Sequence, residues 1–311
     1  MTVPTTVARV WVTPTREVSR FLPEGPRSCA RNGRAAVAWV NIQTAPDSTM
    51  GEILVRKWDE PGYETFPLPN RPGFLIPTAA EEHYLVGMGK ELGFVDLPKS
   101  GDQARWLPIA RIPDDNPRTI INDGEVTPDG RAVVFGTKDT KFADTIAALY
   151  LWTLDDNQIT ELAGGQTCSN GKIIHKDESA FTVWDIDTPR KVVMKYRLDL
   201  EHRTLRDEGI ALDLRDRDDY PDGMCDGGDG TVIIAFYNPA DVEAGEAVRY
   251  RISTGEVLQI WKTPGSPRVT CPLLVERDGK THLILTTADE GMPSAMRAKS
   301  SNAGCLFVAD V

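Results

Sequence analysis

A turn followed by a β-rich run returns about every fifty residues, and this period constrains the fold more than any other feature of the chain. The six units are NGR before AAVAWVNI, EEH before YLVGMG, PDGR before AVVFGT, KDES before AFTVWDI, GGDG before TVIIAFY and ERDGKT before HLILTT. Their strands are expected to begin at Ala35, Tyr84, Ala132, Ala180, Thr231 and His282, giving steps of 49, 48, 48, 51 and 51 residues. Val, Ile, Tyr, Trp and Thr fill the runs, while Gly, Pro, Asn and Asp fill the gaps, as strands and tight turns require. The 22 prolines and 26 glycines suit a chain of many turns, and no long amphipathic helical pattern competes. Six such units predict an all-β chain, a six-bladed β-propeller of four-stranded antiparallel blades, as one domain over residues 1–311. The glycine doublet and aromatic pattern of kelch repeats do not recur, and the WD40 signature is absent. The last eight residues, GCLFVADV, and VARVWV near the start each read as a strand. Pairing them in one blade would close the ring and remove an exposed edge.

Composition narrows the chemistry. The formal charge of −11 argues against nucleic acid or an anionic membrane as partner, since both require clustered Lys and Arg. No apolar stretch is long enough to span a bilayer, and the start lacks a basic and apolar leader, so a cytoplasmic location is expected. Five cysteines, an odd number without a CxxC pair, do not form a disulfide framework. His83, His175, His202 and His282 are scattered and none sits at zinc-ligand spacing. Neither GxGxxG after a strand nor GxxxxGK[ST] occurs, so common nucleotide sites have no support.

The innermost strand of a blade lines the channel, and residues about nine to twelve positions before each marker strand should lie on it. Those positions are PEGP around Glu24, GFLIP around Ile76, INDG around Asn122, CSNG around Asn170, PDGM around Asp222 and VTCP around Cys271. Asn122 to Asn170 is 48 residues and Asn170 to Asp222 is 52, while Glu24 to Asn122 is 98, or two periods. Equivalent positions of a ring converge on its axis, so Glu24, Asn122, Asn170 and Asp222 are expected to meet at one mouth of the channel. Two carboxylates in close company require a shared proton or a cation. Carboxylates with amide oxygens, and neither thiolate nor imidazole, suit a hard ion, best Ca²⁺, with Mg²⁺, Mn²⁺ or Zn²⁺ as alternatives. The competing reading makes NDG, NG and PDG ordinary turn dipeptides. DGR at Asp129–Arg131 and ERDG at Glu276–Gly279 are expected where outer hairpins turn.

FLPEGPR, AVAWVNI, INDGEVTPDGRAVVFGT, CSNG with the following DIDT, YPDGMCDGGDGTVIIAFY and HLILTTA, in that order, resemble the gluconolactonase / regucalcin (senescence marker protein) / luciferin-regenerating enzyme family. The resemblance runs from about Phe21 to the C-terminus, with PDGM and INDG…PDGR…FGT its most specific parts. It implies a six-bladed propeller with one divalent metal at the channel mouth, held by Glu24, Asn170 and Asp222, with Asn122 reaching the metal or the substrate. It also implies lactone hydrolysis, with the cation as Lewis acid and Asp222 as general base as well as ligand.

The departures bear on substrate. Sugar-lactonase members usually carry an arginine two residues before the NDG asparagine, and here that position is Ile120. A substrate-contacting acidic residue past FGT in some members falls nearest Thr140, and the aspartate of their WVDI segment is Asn41. Loss of a bidentate fork at 120 favours a less polar lactone or ester over a polyhydroxylated sugar lactone. Hydrolysis of a phosphotriester such as an organophosphate at the same site, or a non-catalytic calcium-binding propeller, are the alternatives. Cys29, Cys168, Cys225 and Cys271 fall near the inner-strand register and are expected to pack as small apolar residues.

Overall fold

The computed structural model describes residues 2–99, 103–178 and 180–311, so Ser179 in the fourth marker turn lies outside the described residues. The chain opens with two short strands, β1 (Thr5–Val7) and β2 (Arg9–Val12). Blade 1 follows as β3 (Pro23–Arg31), β4 (Arg34–Asn41), β5 (Gly51–Lys57) and β6 (Glu64–Leu68). Blade 2 is β7 (Pro72–Pro77), β8 (His83–Met88), β9 (Glu91–Asp96) and β10 (Arg105–Arg111). Blade 3 is β11 (Thr119–Val126), β12 (Ala132–Asp139), β13 (Ala147–Thr153) and β14 (Gln158–Gln166). Blade 4 is β15 (Ser169–Lys176), β16 (Phe181–Asp187), β17 (Val192–Asp199) and β18 (Thr204–Asp213). Blade 5 is β19 (Tyr220–Gly228), β20 (Thr231–Tyr237), β21 (Ala244–Arg251) and β22 (Glu256–Pro264). Blade 6 takes β23 (Val269–Arg277), β24 (Lys280–Thr287) and β25 (Leu306–Asp310), and draws its outer strand from β2. The fold is a six-bladed β-propeller.

The second strands begin at residues 34, 83, 132, 181, 231 and 280, each within two residues of its expected start. They are rich in apolar residues because both of their faces are covered by neighbouring blades. All eight residues of β12 are buried. Each junction between blades holds its own apolar cluster. Phe74, Phe135 and Tyr150 fill the junction of blades 2 and 3, and Trp261, Leu285 and Phe307 that of blades 5 and 6.

The N-terminal segment does more than one strand's work. VARVWV divides at Ala8: β1 lies parallel to β22 as a fifth strand of blade 5, and β2 pairs antiparallel with β25 in blade 6. Ala8 N–H still bonds Lys262 O at 2.9 Å, so the chain is held to blade 5 until it crosses. Both outer edges gain a partner, which blunts the edge-pairing hazard of open sheets. Among the described residues no helix is long and apolar enough to cross a membrane.

Every inner strand carries a register shift at the same depth. The extra residues are Gly25–Pro26, Gly73, Asn122–Asp123, Gly171, Asp222–Gly223 and Thr270. Such bulges re-aim side chains from a strand. They correct two expectations. Blade 2 presents Gly73 at this level, and Ile76 lies farther along β7 in the apolar core. NDG, SNG and PDG lie within strands, and two glycines at this level, Gly73 and Gly171, permit close approach. A Cβ on Gly73 would stand 2.1 Å from Asn122 O, and one on Gly171 2.4 Å from Met224 N. The Asp129–Gly130 and Asp278–Gly279 turns join the first and second strands of their blades, so they are not outer hairpins.

Candidate functional site

Residues at or beside the bulges of blades 1 to 5 line a cavity of about 650 Å³ at one mouth of the channel. Glu24, Asn122, Asn170 and Asp222 all line it, together with Asp123. Below the floor the Arg27 guanidinium, from blade 1, donates to Gly124 O at 2.9 Å and Glu125 Oε2 at 2.5 Å on blade 3. Thr270 Oγ1 donates to Pro23 O at 2.6 Å and so ties blade 6 to the strand that carries Glu24.

Both asparagines have their amide groups oriented. Asn122 Nδ2 donates to Ser169 O at 2.9 Å, and Asn170 Nδ2 donates to Asp222 Oδ1 at 2.5 Å and Thr188 Oγ1 at 3.1 Å. With each NH₂ engaged, each Oδ1 remains as an acceptor. Beneath Asn170, Lys172 Nζ donates to its main-chain O at 2.7 Å and pairs with Asp185 at 3.0 Å. Asp185 also accepts from Ser169 Oγ at 2.8 Å and Gln166 Nε2 at 2.6 Å, completing a buried network under the β15 head.

The two carboxylates are under electrostatic stress. Burial raises Glu24 well above the usual carboxylate range, and the neighbouring Asp222 and Asp123 raise it further. Burial likewise pushes Asp222 up to about 8, with Lys138 and the Asn170 hydrogen bond opposing. Neither has an ion-pair partner within 4.0 Å among the described residues, although Glu24 Oε2 accepts Gly25 N–H at 2.6 Å. A divalent cation would let both carry charge at neutral pH. The donors fit a hard ion: two carboxylates and two amide oxygens, all on strand heads. Cys168 lines the cavity, but burial pushes its thiol up to about 12, so it stays neutral and unsuited to ligation. Among the described residues no three His, Cys, Asp or Glu side chains come together as a ready metal cluster, so the asparagines are needed to complete one.

The remaining sequence candidates lie elsewhere. Ile120 pairs with Lys138 in the β11–β12 ladder, and neither Ile120 nor Thr140 lines the cavity. Lys138 and Phe142 form that wall instead. Residues 139–144 wrap the Asp139 carboxylate, which accepts from Arg118 and from the N–H groups of Lys141, Ala143 and Asp144, and this turn holds Phe142 at the mouth. Asn41 is buried away from the cavity, where its Oδ1 accepts Leu22 N–H at 2.8 Å and fixes the entry to β3. Cys29, Cys225 and Cys271 are half-buried on the inner strands, and among the described residues no histidine lines the cavity. Sequence reasoning missed Lys138, Phe142, Arg268 and Glu290. Only Lys138 carried a signal, as a charged residue directly after the apolar AVVFGT run.

The family model described as SMP-30/Gluconolactonase/LRE-like region matches residues 22–289. Regucalcin of Danio rerio is 27 % identical over 238 residues, which is 76 % of this chain and 75 % of that protein. Among solved structures, a calcium-binding protein, regucalcin, from Agrobacterium tumefaciens has a TM-score of 0.79 at 20 % identity, over 99 % of this chain and 95 % of that one. A luciferin-regenerating enzyme has a TM-score of 0.75 at 16 % identity, over 92 % of this chain and 90 % of that one. At those identities the structural likeness establishes the shared propeller.

Proposed function

The chain belongs to the SMP-30/gluconolactonase/LRE-like family, and from that premise we propose that it is a divalent-cation-dependent hydrolase that opens a lactone ring. One observation carries the reading. Four oxygen-bearing side chains, two of them buried carboxylates with no ion-pair partner within 4.0 Å among the described residues, converge from blades 1, 3, 4 and 5 on one cavity. Burying two such charges is costly unless a cation compensates them.

Glu24, Asn170 and Asp222 would hold the ion, with Ca²⁺ the best match and Mg²⁺, Mn²⁺ or Zn²⁺ the alternatives. When bound, the ion supplies positive charge to the lactone carbonyl and to the carboxylates that hold it. Asn122, its NH₂ held by Ser169 O, lines the cavity and would orient the ring or complete the ion's shell. Asp222 accepts a proton from the water that attacks the carbonyl carbon. The ring C–O bond then breaks, and Asp222 returns the proton to the departing alkoxide, leaving a hydroxy acid. Leu22, Ile42, Phe142 and Tyr237 enclose the site and favour a ring of low polarity over a polyhydroxylated sugar lactone. The partner is thus a small molecule. The cytoplasm suits five free thiols.

The test uses protein stripped with chelator and offered lactones and phosphotriesters, with each of the four ions restored in turn. Lactone hydrolysis should return with at least one ion. Asp222→Asn should lose it, by about a thousandfold or more, while keeping its circular dichroism. Glu24→Gln should lose bound metal. Metal-restored cleavage of phosphotriesters alone would move the assignment to that class. Absence of any hydrolysis with a tightly bound ion would leave a calcium-binding propeller.

A further inference from the structure

Two cations face the cavity above its acidic floor. Lys138 is 8 % exposed and lines the cavity, and its ammonium has no hydrogen-bond or ion-pair partner among the described residues. Its nearest organised neighbour is the Phe142 ring, 5.6 Å from Nζ to the centroid. A buried ammonium without a partner is costly. Glu24 and Asp222 feel its charge and are the carboxylates a bound dication would engage, while Asp123 and Glu290 also line the cavity. Arg268 is 4 % exposed, lines the same cavity and lies over the Tyr237 ring at 5.1 Å, and its Nε and Nη1 have no acceptor among the described residues.

The fold puts these cations at one level. Lys138 bridges to Cys168 where blade 3 meets blade 4, and Arg268 bridges to Tyr237 at the equivalent junction of blades 5 and 6. Between them Thr188, Pro189, Tyr220 and Tyr237 line the wall, and Glu290 also lines the cavity. We propose that Lys138, with Arg268 lining the same cavity, receives a carboxylate carried by the substrate, so that the preferred lactone is anionic and poor in hydroxyls. A lysine point charge suits a carboxylate approaching without fixed bidentate geometry. The inference rests on the hydrolase reading for the word lactone, and on the cavity alone for the anion.

The experiment is calorimetric binding to the calcium-loaded protein, which needs no turnover. The probes are 2-pyrrolidone-5-carboxylate and its neutral twin 2-pyrrolidone-5-carboxamide, lactams of equal size that differ by one charge. The carboxylate should bind about tenfold or more tightly than the carboxamide. Lys138→Met should reduce that preference to about twofold or less, and Lys138→Arg should keep most of it. Thermal melts show whether each variant is folded. No preference in the parent protein, including failure of both probes to bind, overturns the inference, as does a preference that survives in Lys138→Met. A protein that prefers the carboxylate yet hydrolyses no lactone overturns the hydrolase reading and leaves the anion site standing.

Discussion

Lowering the pH from 8 to 6 should weaken calcium binding steeply, because the ion must displace protons that the buried site holds. Asp222 is raised from 3.8 to about 8 by burial, so at pH 6 roughly 99 % of the metal-free protein carries its proton. Protonation competes with the ion, which fixes the sign: affinity rises with pH and levels off above the raised value. Asp222 alone makes the apparent affinity about fiftyfold higher at pH 8 than at pH 6. Glu24, also raised by burial and by Asp222, adds to that factor, so about one to two protons should leave per ion at pH 6. The assay is isothermal titration at pH 6, 7 and 8 in two buffers of different ionisation enthalpy, whose difference in heat counts the protons. The same shifts predict the stability of the metal-free protein. Carboxylates that bind protons more tightly when folded lose stability as pH rises from the ordinary carboxylate range through the raised values. Calcium should suppress that decline. Flat affinity between pH 6 and 8, with no buffer-dependent heat, would refute the view that these two carboxylates share protons and cede them to an ion.

Gly73→Ala should destabilise the protein by about 3 kcal/mol and weaken calcium binding with it, since the new Cβ would meet Asn122 O at 2.1 Å and Ile121 O at 2.6 Å, both backbone atoms. A melting temperature within about a degree of the parent's would count against this close approach. Lys172→Met should cost about 3–5 kcal/mol in urea unfolding because it strands Asp185, a residue with no exposure, without its cation. Adding Asp185→Asn should recover much of that loss, and a double variant no better than the single would show that Lys172 acts through packing alone.

The site was legible to the extent that it follows the repeat. Glu24, Asn122, Asn170 and Asp222 recur at the blade spacing, and a ring turns equal spacing into convergence. Ile76 failed the same count because a bulge of one residue in β7 shifts what faces the channel, leaving Gly73 there. Thr140 failed because the chain after β12 curls around the Asp139 carboxylate and delivers Phe142 to the mouth. Arg268 gave no signal at all, since a single arginine ahead of a strand has no periodic partner. Its place in the wall depends on the bridge to Tyr237.

The sequence by itself determined the number of blades, the start of each second strand and the four oxygens of the floor. Those are consequences of a local pattern repeated six times, and a strand buried on both faces must be written in apolar residues. Only the tertiary structure decided how VARVWV divides between blades 5 and 6, because an edge accepts a partner by hydrogen bonding rather than by side-chain type. It also decided that the carboxylates are buried together and that Lys138 and Arg268 stand over them. Burial and mutual distance belong to the closed ring, and these set the charge balance on which the chemistry depends.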